Sequence, residues 1–141
     1  MSKFVYRPDL GRTTPNPGPA THYRPQLDIL LSGPAQAVMV TAIVDSGADL
    51  CTFKAELAAT VGLDLQSGSK INVDGVTGDG TGWLHPVRLV VDSVTFDADA
   101  LFIAGDTAAC LGRIPLFCLQ KVAFCQKGAN PALWWFELSS Y

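Results

Sequence analysis

Residues 43–49 read IVDSGAD: two β-branched apolar residues, an acid, a Ser-Gly pair, an alanine and a second acid. Ile43 and Val44 are typical of a buried strand. A carboxylate at the end of such a strand costs on the order of several kcal/mol unless it is paired or hydrogen-bonded. The Ser-Gly pair indicates that the chain turns immediately after Asp45. The acid therefore needs a structural or a chemical reason.

The composition narrows the class of protein. A chain of 141 residues, with 48% hydrophobic and 16% charged residues, predicts one folded domain and excludes a disordered polypeptide. The formal net charge of −3 argues against nucleic acid as the main partner, because phosphate binding needs clustered lysine and arginine. No apolar run is long enough to span a bilayer and the first residues lack the core of a signal peptide, so we expect no membrane contact and a cytoplasmic location.

The cysteines do not form a metal-binding pattern. Their spacing lacks a Cys-x-x-Cys pair, and only two histidines accompany them. We therefore expect no metal, and reduced, mostly buried thiols at Cys51, Cys110, Cys118 and Cys125. His85, which precedes Pro86, is predicted to be a surface strand residue without a catalytic role.

The first half of the chain predicts an arm, a hairpin and a helix. Residues 1–25 are rich in proline and glycine, which favours an extended arm. The alternation of QLDILL, the turn at SGP and the apolar run AVMVTAIV predict a hairpin whose second, buried strand delivers Asp45. FKAELAATVG predicts a short helix that ends at its glycine, because apolar residues recur every fourth position. Those apolar residues are Phe53, Leu57 and Val61.

The second half predicts further strands. KINVDGV and GWLHPVRLVV flank the glycine-rich TGDGTG and predict a long β-hairpin. VTFDADALFI alternates as a strand, ACLGRIPLFCLQ predicts a short helix with Pro115 in its first turn, and VAFCQ and LWWFEL close the chain as a hairpin. Short strands punctuated by glycine indicate an all-β barrel or sandwich. A strand that runs into a glycine turn and a short helix occurs at both AIVDSGAD and ACLGRIPL, which indicates internal two-fold pseudosymmetry.

Three motifs occur in the order found in a known family. IVDSGAD (43–49), the hairpin VDGVTGDGTGW (73–83) and CLGR (110–113) resemble the retropepsin-like aspartic proteases, the single-lobe family of the retroviral proteases and many bacterial relatives. The resemblance covers roughly residues 26–126. It implies an all-β fold, a closed barrel lobe with a flap hairpin and one or two short helices, as a domain over residues 26–141 that follows the arm. It also implies an aspartic endopeptidase that uses no cofactor or metal.

The reaction that this family catalyses would explain why an aspartate stands at position 45. Hydrolysis of a peptide by this route needs two carboxylates that share one proton, because like charges so close together cannot both ionise. The sequence contains no second Asp-Ser-Gly or Asp-Thr-Gly. The resemblance therefore implies a homodimer in which each subunit supplies one Asp45, with peptides or proteins as substrates.

The resemblance also assigns roles around Asp45. Ser46 is expected to hydrogen-bond across the dimer axis, and Gly47 to permit the sharp turn. Ala48 leaves room for a substrate backbone, and Asp49 accepts one of its N–H groups. Asp49 is also expected to pair with Arg113. The remaining candidates are Gly112, which supports the loop with Arg113, and the flap residues Gly75, Val76, Thr77 and Gly78, which would close over the substrate.

Other interpretations of the same residues remain open. Asp45 is also a good turn residue, the flap glycines are also ordinary turn formers, and Arg113 also suits a solvated helix start. The aromatic run 134–136 is expected to fill a core or a dimer seam rather than to form a ligand platform. The arm is a docking strand, a linker remnant or a segment that the enzyme removes from itself. The main alternative function is a dimerisation or peptide-binding module of the same fold that does not cut.

Overall fold

The computed structural model describes residues 1–9, 22–73 and 80–141, and its regular elements are mostly strands. The strands are β1 (Ser2–Val5), β2 (Arg7–Pro8), β3 (Tyr23–Arg24), β4 (Gln26–Ser32), β5 (Ala37–Val44), β6 (Thr52–Lys54), β7 (Ser69–Asn72), β8 (Thr81–Val91), β9 (Val94–Ile103), β10 (Cys110–Leu111), β11 (Lys121–Cys125) and β12 (Trp135–Ser139). The helices are α1 (Glu56–Thr60) and α2 (Arg113–Leu119), with 3₁₀ turns at Leu65–Ser67 and Pro131–Leu133. The described residues contain no helix that is long and apolar enough to cross a membrane.

Six strands close into a barrel. Their order is β4-β5-β10-β6-β9-β8, and β8 pairs back with β4, while β7 pairs with the other end of β8. Leu27, Ile29 and Leu31 of β4 point into this barrel and are buried, because alternate residues of a strand lie on one face. This confirms the all-β closed barrel predicted from the sequence.

Two hairpins form in the barrel, and the first of them was predicted from the sequence. β4 and β5 pair in antiparallel register from Gln26 and Ile43 to Ser32 and Ala37. β8 and β9 pair along their length, and Asp92 makes the turn between them with a φ of 55°, a conformation that aspartate tolerates better than most residues. The hairpin of β4 and β5 was predicted, whereas for residues 94–103 the sequence predicted a strand but not its partner.

The chain ends form a separate three-stranded sheet in the order β1-β12-β11. Phe4, Phe136 and Phe124 lie at the same level across it, and the rings of Phe4 and Phe136 stack with centroids 5.1 Å apart. Phe136 is fully buried and joins the hydrophobic core, so the middle strand of this sheet is anchored to the barrel. The division into an arm and a domain stays a prediction, although residues 2–5 of the expected arm belong to this sheet.

The helix predicted over residues 53–62 is shorter than expected. Phe53 belongs to β6, where it pairs with Phe102 of β9 and is fully buried, and the helix covers only Glu56–Thr60. A strand residue next to a helix happened to continue the four-residue spacing. The end of the helix is confirmed, because Gly62 has the positive φ of 89° that favours glycine.

The strand AVMVTAIV is buried only near its end. Met39 is 65% exposed, whereas Ala42 and Val44 are buried. At that end β5 runs parallel to β10, with Ile43 opposite Cys110. The two strands that were expected to be related by pseudosymmetry are therefore direct neighbours in the barrel.

Two predictions about polar side chains are wrong. His85 is not at the surface: it is 4% exposed, its Nε2 lies 2.8 Å from the carbonyl oxygen of Leu65, and its ring meets that of Phe102 edge-on. The alternation of side chains along β8 explains this, because His85 lies on the inward face of the strand together with Val87 and Leu89. The thiols are not mostly buried either, because Cys51 is buried, Cys118 is exposed and the other two are half-buried.

Candidate active site

Asp45 follows directly after β5 and is half-buried. Its backbone N–H donates to the carbonyl oxygen of Leu111 at 3.0 Å, which extends the pairing of β5 with β10 by one residue. Its Oδ1 accepts the backbone N–H of Gly47 at 2.8 Å. This bond closes an Asx turn, so the carboxylate is oriented by the loop that follows it.

The loop around Asp45 leaves little space at its glycine. A Cβ atom on Gly47 would lie 3.2 Å from Oδ1 of Asp45, which is tighter than an ordinary contact. Ser46 beside it is exposed, and Ala48 is half-buried with its N–H 3.4 Å from the carbonyl oxygen of Asp45. The structure therefore brings Asp45, Ser46, Gly47 and Ala48 together in one tight turn. Their catalytic and binding roles stay predictions.

The CLGR segment lies against the outgoing side of this turn. Arg113 N–H donates to the carbonyl oxygen of Ala48 at 2.8 Å, and Ile114 N–H donates to that of Asp49 at 2.9 Å. Leu50 and Ile114 form a parallel bridge, so two segments far apart in the sequence are joined by backbone hydrogen bonds.

Gly112 permits this close approach. A Cβ atom there would lie 2.3 Å from the carbonyl oxygen of Leu50 and 2.8 Å from its nitrogen. The φ of Gly112 is −77°, which any residue adopts, so space rather than backbone conformation requires glycine.

Asp49 and Arg113 form the ion pair that the motifs predicted. Nη2 of Arg113 donates to Oδ1 of Asp49, and the hydrogen bond and attraction from this carboxylate raise the pKa of the guanidinium. Both side chains are largely exposed, so water screens the pair and its contribution to stability is small. The pair orients the two side chains at the edge of the loop, where Asp49 retains acceptor capacity for another donor.

A cavity of about 500 Å³ borders Asp45 and Ser46. This volume lies within the range of ligand-binding clefts. Its wall also includes Tyr6, Arg24, Pro25, Ile43, Val44, Thr107, Ala108, Cys110, Phe124 and Gln126. A second cavity of about 520 Å³ shares residues 43, 107 and 108 with the first, so the two cavities are adjacent.

The predicted flap residues Gly75, Val76, Thr77 and Gly78 lie outside the described residues. The bases of their hairpin are described. Asn72 of β7 pairs with Thr81 of β8, and Val73 N–H donates to the carbonyl oxygen of Gly80. The two strands predicted to flank the glycine-rich tip are therefore paired.

Sequence reasoning missed the cavity residues that come from distant segments. Tyr6 and Arg24 were expected only as parts of an arm, and Gln126 as the end of a strand. No local pattern marks them, because they reach the cavity through the packing of the terminal sheet and of β3 against the barrel.

The described residues hold no group of three or more histidine, cysteine, aspartate or glutamate side chains placed to bind a metal ion. In the same ranges of the chain, no hydrogen bond joins Asp45 to a second carboxylate. Among the described residues that line the first cavity, Asp45 is the only one with a carboxylate.

Comparison with known proteins identifies the fold. No protein-family model matches the chain, and no curated protein does. Among solved structures, a retropepsin-like aspartic protease from Rickettsia conorii matches with a TM-score of 0.61 and 14% identity, over 96% of this chain and 89% of that one. EIAV protease complexed with the inhibitor HBY-793 matches with a TM-score of 0.47 and 19% identity, over 67% of this chain and 86% of that one. The Rickettsia match and the closed barrel show that this chain has the retropepsin-like fold, which confirms the resemblance based on the three motifs.

Proposed function

We propose that this protein is an aspartic endopeptidase that hydrolyses peptide bonds with a water molecule held between two Asp45 carboxylates, one from each subunit of a homodimer. One observation carries the proposal. In a chain with the retropepsin-like fold, Asp45 stands at the end of a barrel strand, is oriented by a tight loop and borders a cavity of about 500 Å³.

The reaction follows from two acids that share one proton. The ionised carboxylate removes a proton from the water, which attacks the carbonyl carbon of the substrate. The protonated carboxylate donates to the carbonyl oxygen, and a further proton transfer releases the amine. The two acids titrate as a coupled pair, so neither apparent pKa belongs to one residue.

The homodimer is proposed because the sequence has one Asp-Ser-Gly motif and the described wall of the cavity carries one carboxylate, that of Asp45. A two-fold axis close to Asp45 would bring the same residue of a second copy opposite it. Ser46 is exposed and Ile114 is 53% exposed beside the loop, so these groups are free to face a partner. We also assign part of the interface to LWWFEL, the last strand of the chain.

The binding roles belong to the same proposal. Ala48 would admit the substrate backbone, Asp49 would accept one of its N–H groups, and Arg113 with Gly112 would support the loop. The flap residues 75–78 would cover the substrate. The cytoplasmic location and the absence of a cofactor stay predictions.

The test compares the purified protein with Asp45→Asn on a diverse peptide pool from about pH 3 to about pH 8, with cleavage read by mass spectrometry. Asp99→Asn is the matched control, because it removes an exposed carboxylate from the outer face of β9. We expect cuts by the wild type and the control but none by Asp45→Asn, with a maximum below neutral pH and inhibition by pepstatin. Cleavage that survives in Asp45→Asn would refute the proposal. A folded dimer that cuts nothing would instead favour the peptide-binding module.

A further inference from the structure

The second cavity adjoins the candidate active site. Its described wall shares Ile43, Thr107 and Ala108 with the wall of the first cavity, but it does not include Asp45 or Ser46. A cavity of about 520 Å³ is about 10 Å across, which is the length of about three extended residues. A peptide that fills the first cavity therefore reaches the second only if it extends further by several residues on that side.

One edge of β5 runs along the second cavity. The N–H of Val44 donates to the carbonyl oxygen of Pro25, which precedes β4, whereas the N–H of Ile43 donates to that of Ala109 on the opposite edge. Because the N–H groups of successive strand residues point to opposite edges, Thr41 presents its N–H and its carbonyl oxygen on the same edge as Ile43. The pairing of β5 with β10 covers Ile43 and Val44 and ends before Thr41, which lies in the wall of the cavity.

The second cavity has an apolar wall and a charged rim. Val40, Leu57 and Ala109 lie on its wall, where they pack against the hydrophobic core and remain partly exposed. Lys54 and Asp106 form an ion pair at 3.5 Å, and their side chains are 51% and 98% exposed. Charged groups this exposed keep their contact with water, so the area left to bury in the cavity is apolar. The cavity therefore suits an apolar side chain flanked by extended backbone.

We propose that the second cavity is an exosite that binds a segment of the substrate several residues away from the scissile bond. The segment adds to the edge of β5 at Thr41 and places an apolar side chain, such as leucine or isoleucine, against Val40 and Leu57. The inference rests on the proposed function, because it takes the peptide to lie in the cavity beside Asp45. The substrate is the proposed occupant because the two cavities share part of their wall, so a chain that leaves the first enters the second. Strand addition of this kind gives affinity through backbone hydrogen bonds and specificity through alternate side chains.

The test compares peptides that have about three and about eight residues on each side of a bond that the wild type cleaves. We expect kcat/KM to be about tenfold higher for the long peptide, through a lower KM, because a remote apolar contact binds the substrate and its transition state equally. Exchange of single apolar residues of the added segments for serine then locates the residue that enters the cavity.

Variants of Thr41 assign the effect to the second cavity. In Thr41→Trp the indole fills the cavity, and the ratio of long to short peptide should fall to near one. Thr95→Trp adds the same bulk to an exposed threonine of β9 that lies in neither cavity wall, and it keeps the wild-type ratio. Thr41→Val loses the 2.6 Å hydrogen bond from the threonine hydroxyl to Asp28 without filling the cavity, and it also keeps the ratio.

The outcomes separate this inference from the proposed function. Cleavage with the same ratio of long to short peptide in the wild type and Thr41→Trp would overturn the inference and leave the peptidase intact. A lower melting temperature in Thr41→Trp than in Thr95→Trp, together with an unchanged ratio, would show that part of this chain fills the cavity, and this result would overturn the inference as well.

If nothing is cleaved, binding decides. The diverse peptide pool is passed over immobilised Asp45→Asn and over the double variant with Thr41→Trp, and the retained peptides are identified by mass spectrometry. Peptides that the first protein retains and the second does not support the exosite without the peptidase. Equal retention by the two proteins, or none, overturns it.

Discussion

Replacing Gly112 by alanine tests whether the CLGR segment locks the loop that holds Asp45. The added Cβ would lie 2.3 Å from the carbonyl oxygen and 2.5 Å from the carbonyl carbon of Leu50, and backbone atoms cannot rotate away as a flexible side chain can. Overpacking of this kind costs roughly 1–3 kcal/mol. If the segments separate, the hydrogen bonds from Arg113 and Ile114 to the loop weaken as well, at about 1 kcal/mol each.

We therefore expect Gly112→Ala to lower the free energy of unfolding by about 3 kcal/mol and the melting temperature by roughly 10 °C, given the usual scaling for a domain of this size. The assay is urea unfolding followed by tryptophan fluorescence at one fixed protein concentration, because dimerisation would make stability depend on concentration. Activity on a cleaved peptide should fall with stability or faster, since the same shift disturbs the turn at Asp45.

Gly105→Ala is the matched control. Gly105 has a φ of 100°, but a Cβ there would meet nothing within 4 Å, so alanine adds only the cost of a left-handed backbone, roughly 1–2 kcal/mol. Gly112→Ala must cost clearly more than this control. If it were no more destabilising than Gly105→Ala, the close contact of the two segments would not be a feature of the folded protein.

Three further predictions concern side chains away from the candidate site. His85→Leu removes the buried donor to the carbonyl oxygen of Leu65 and should destabilise the protein by about 1–3 kcal/mol in urea unfolding. An unchanged midpoint would contradict the hydrogen bond. Burial raises the pKa of the Cys51 thiol, so alkylation at about pH 8 should modify the exposed Cys118 first and Cys51 only on unfolding. Mass spectrometry identifies the labelled cysteines, and equal early labelling of the two would contradict this order. The pKa of Asp28 is lowered by hydrogen bonds from the hydroxyl of a threonine on β5 and from an arginine on β2. The ionised Asp28 therefore stabilises the folded protein above the pKa that it has in the unfolded chain, and this stabilisation is lost as the pH falls through the lower pKa of the folded state. Asp28→Asn should therefore reduce the loss of stability between about pH 6 and about pH 3, and an identical loss in both proteins would contradict it.

The barrel could be predicted because its strands carry their pattern locally. Leu27, Ile29 and Leu31 alternate with polar or less buried neighbours, and the long strand that starts at Val94 does the same as far as Ala100. The closure of the barrel by β4 and β8 is not local, and it came from the resemblance rather than from any periodicity. Strand pairing across such distances leaves no signal in a single stretch of sequence.

The wrong predictions for His85 and Phe53 have the same physical origin as this missing signal. His85 follows the inward phase of β8, but its polar ring and the proline after it suggested a surface position. Phe53 fits both a helical spacing and a strand, and only its neighbours on β9 decide for the strand. In each case the partner across the sheet, which the sequence does not identify, determines the environment of the side chain.

The residues of the candidate site also divide into those that the sequence identified and those that it did not. Asp45, Gly47 and Gly112 were found from their motifs because tight turns and close backbone contacts demand particular residue types. Tyr6 and Arg24 were not found, because a cavity wall accepts many residues and its members are assembled from separate segments. Motifs therefore locate the loop around Asp45, whereas the rest of the cavity wall can be identified only from the fold.

The measurement that most directly tests the shared site is the activity of mixed dimers. Wild-type and Asp45→Asn chains are unfolded together, refolded at constant total protein and assayed on a cleaved peptide. If each site needs Asp45 from both subunits, only dimers of two wild-type chains are active, so an equal mixture should retain about one quarter of the wild-type rate. Retention of about one half, in proportion to the wild-type chains, would show that one Asp45 suffices and would contradict the proposed mechanism.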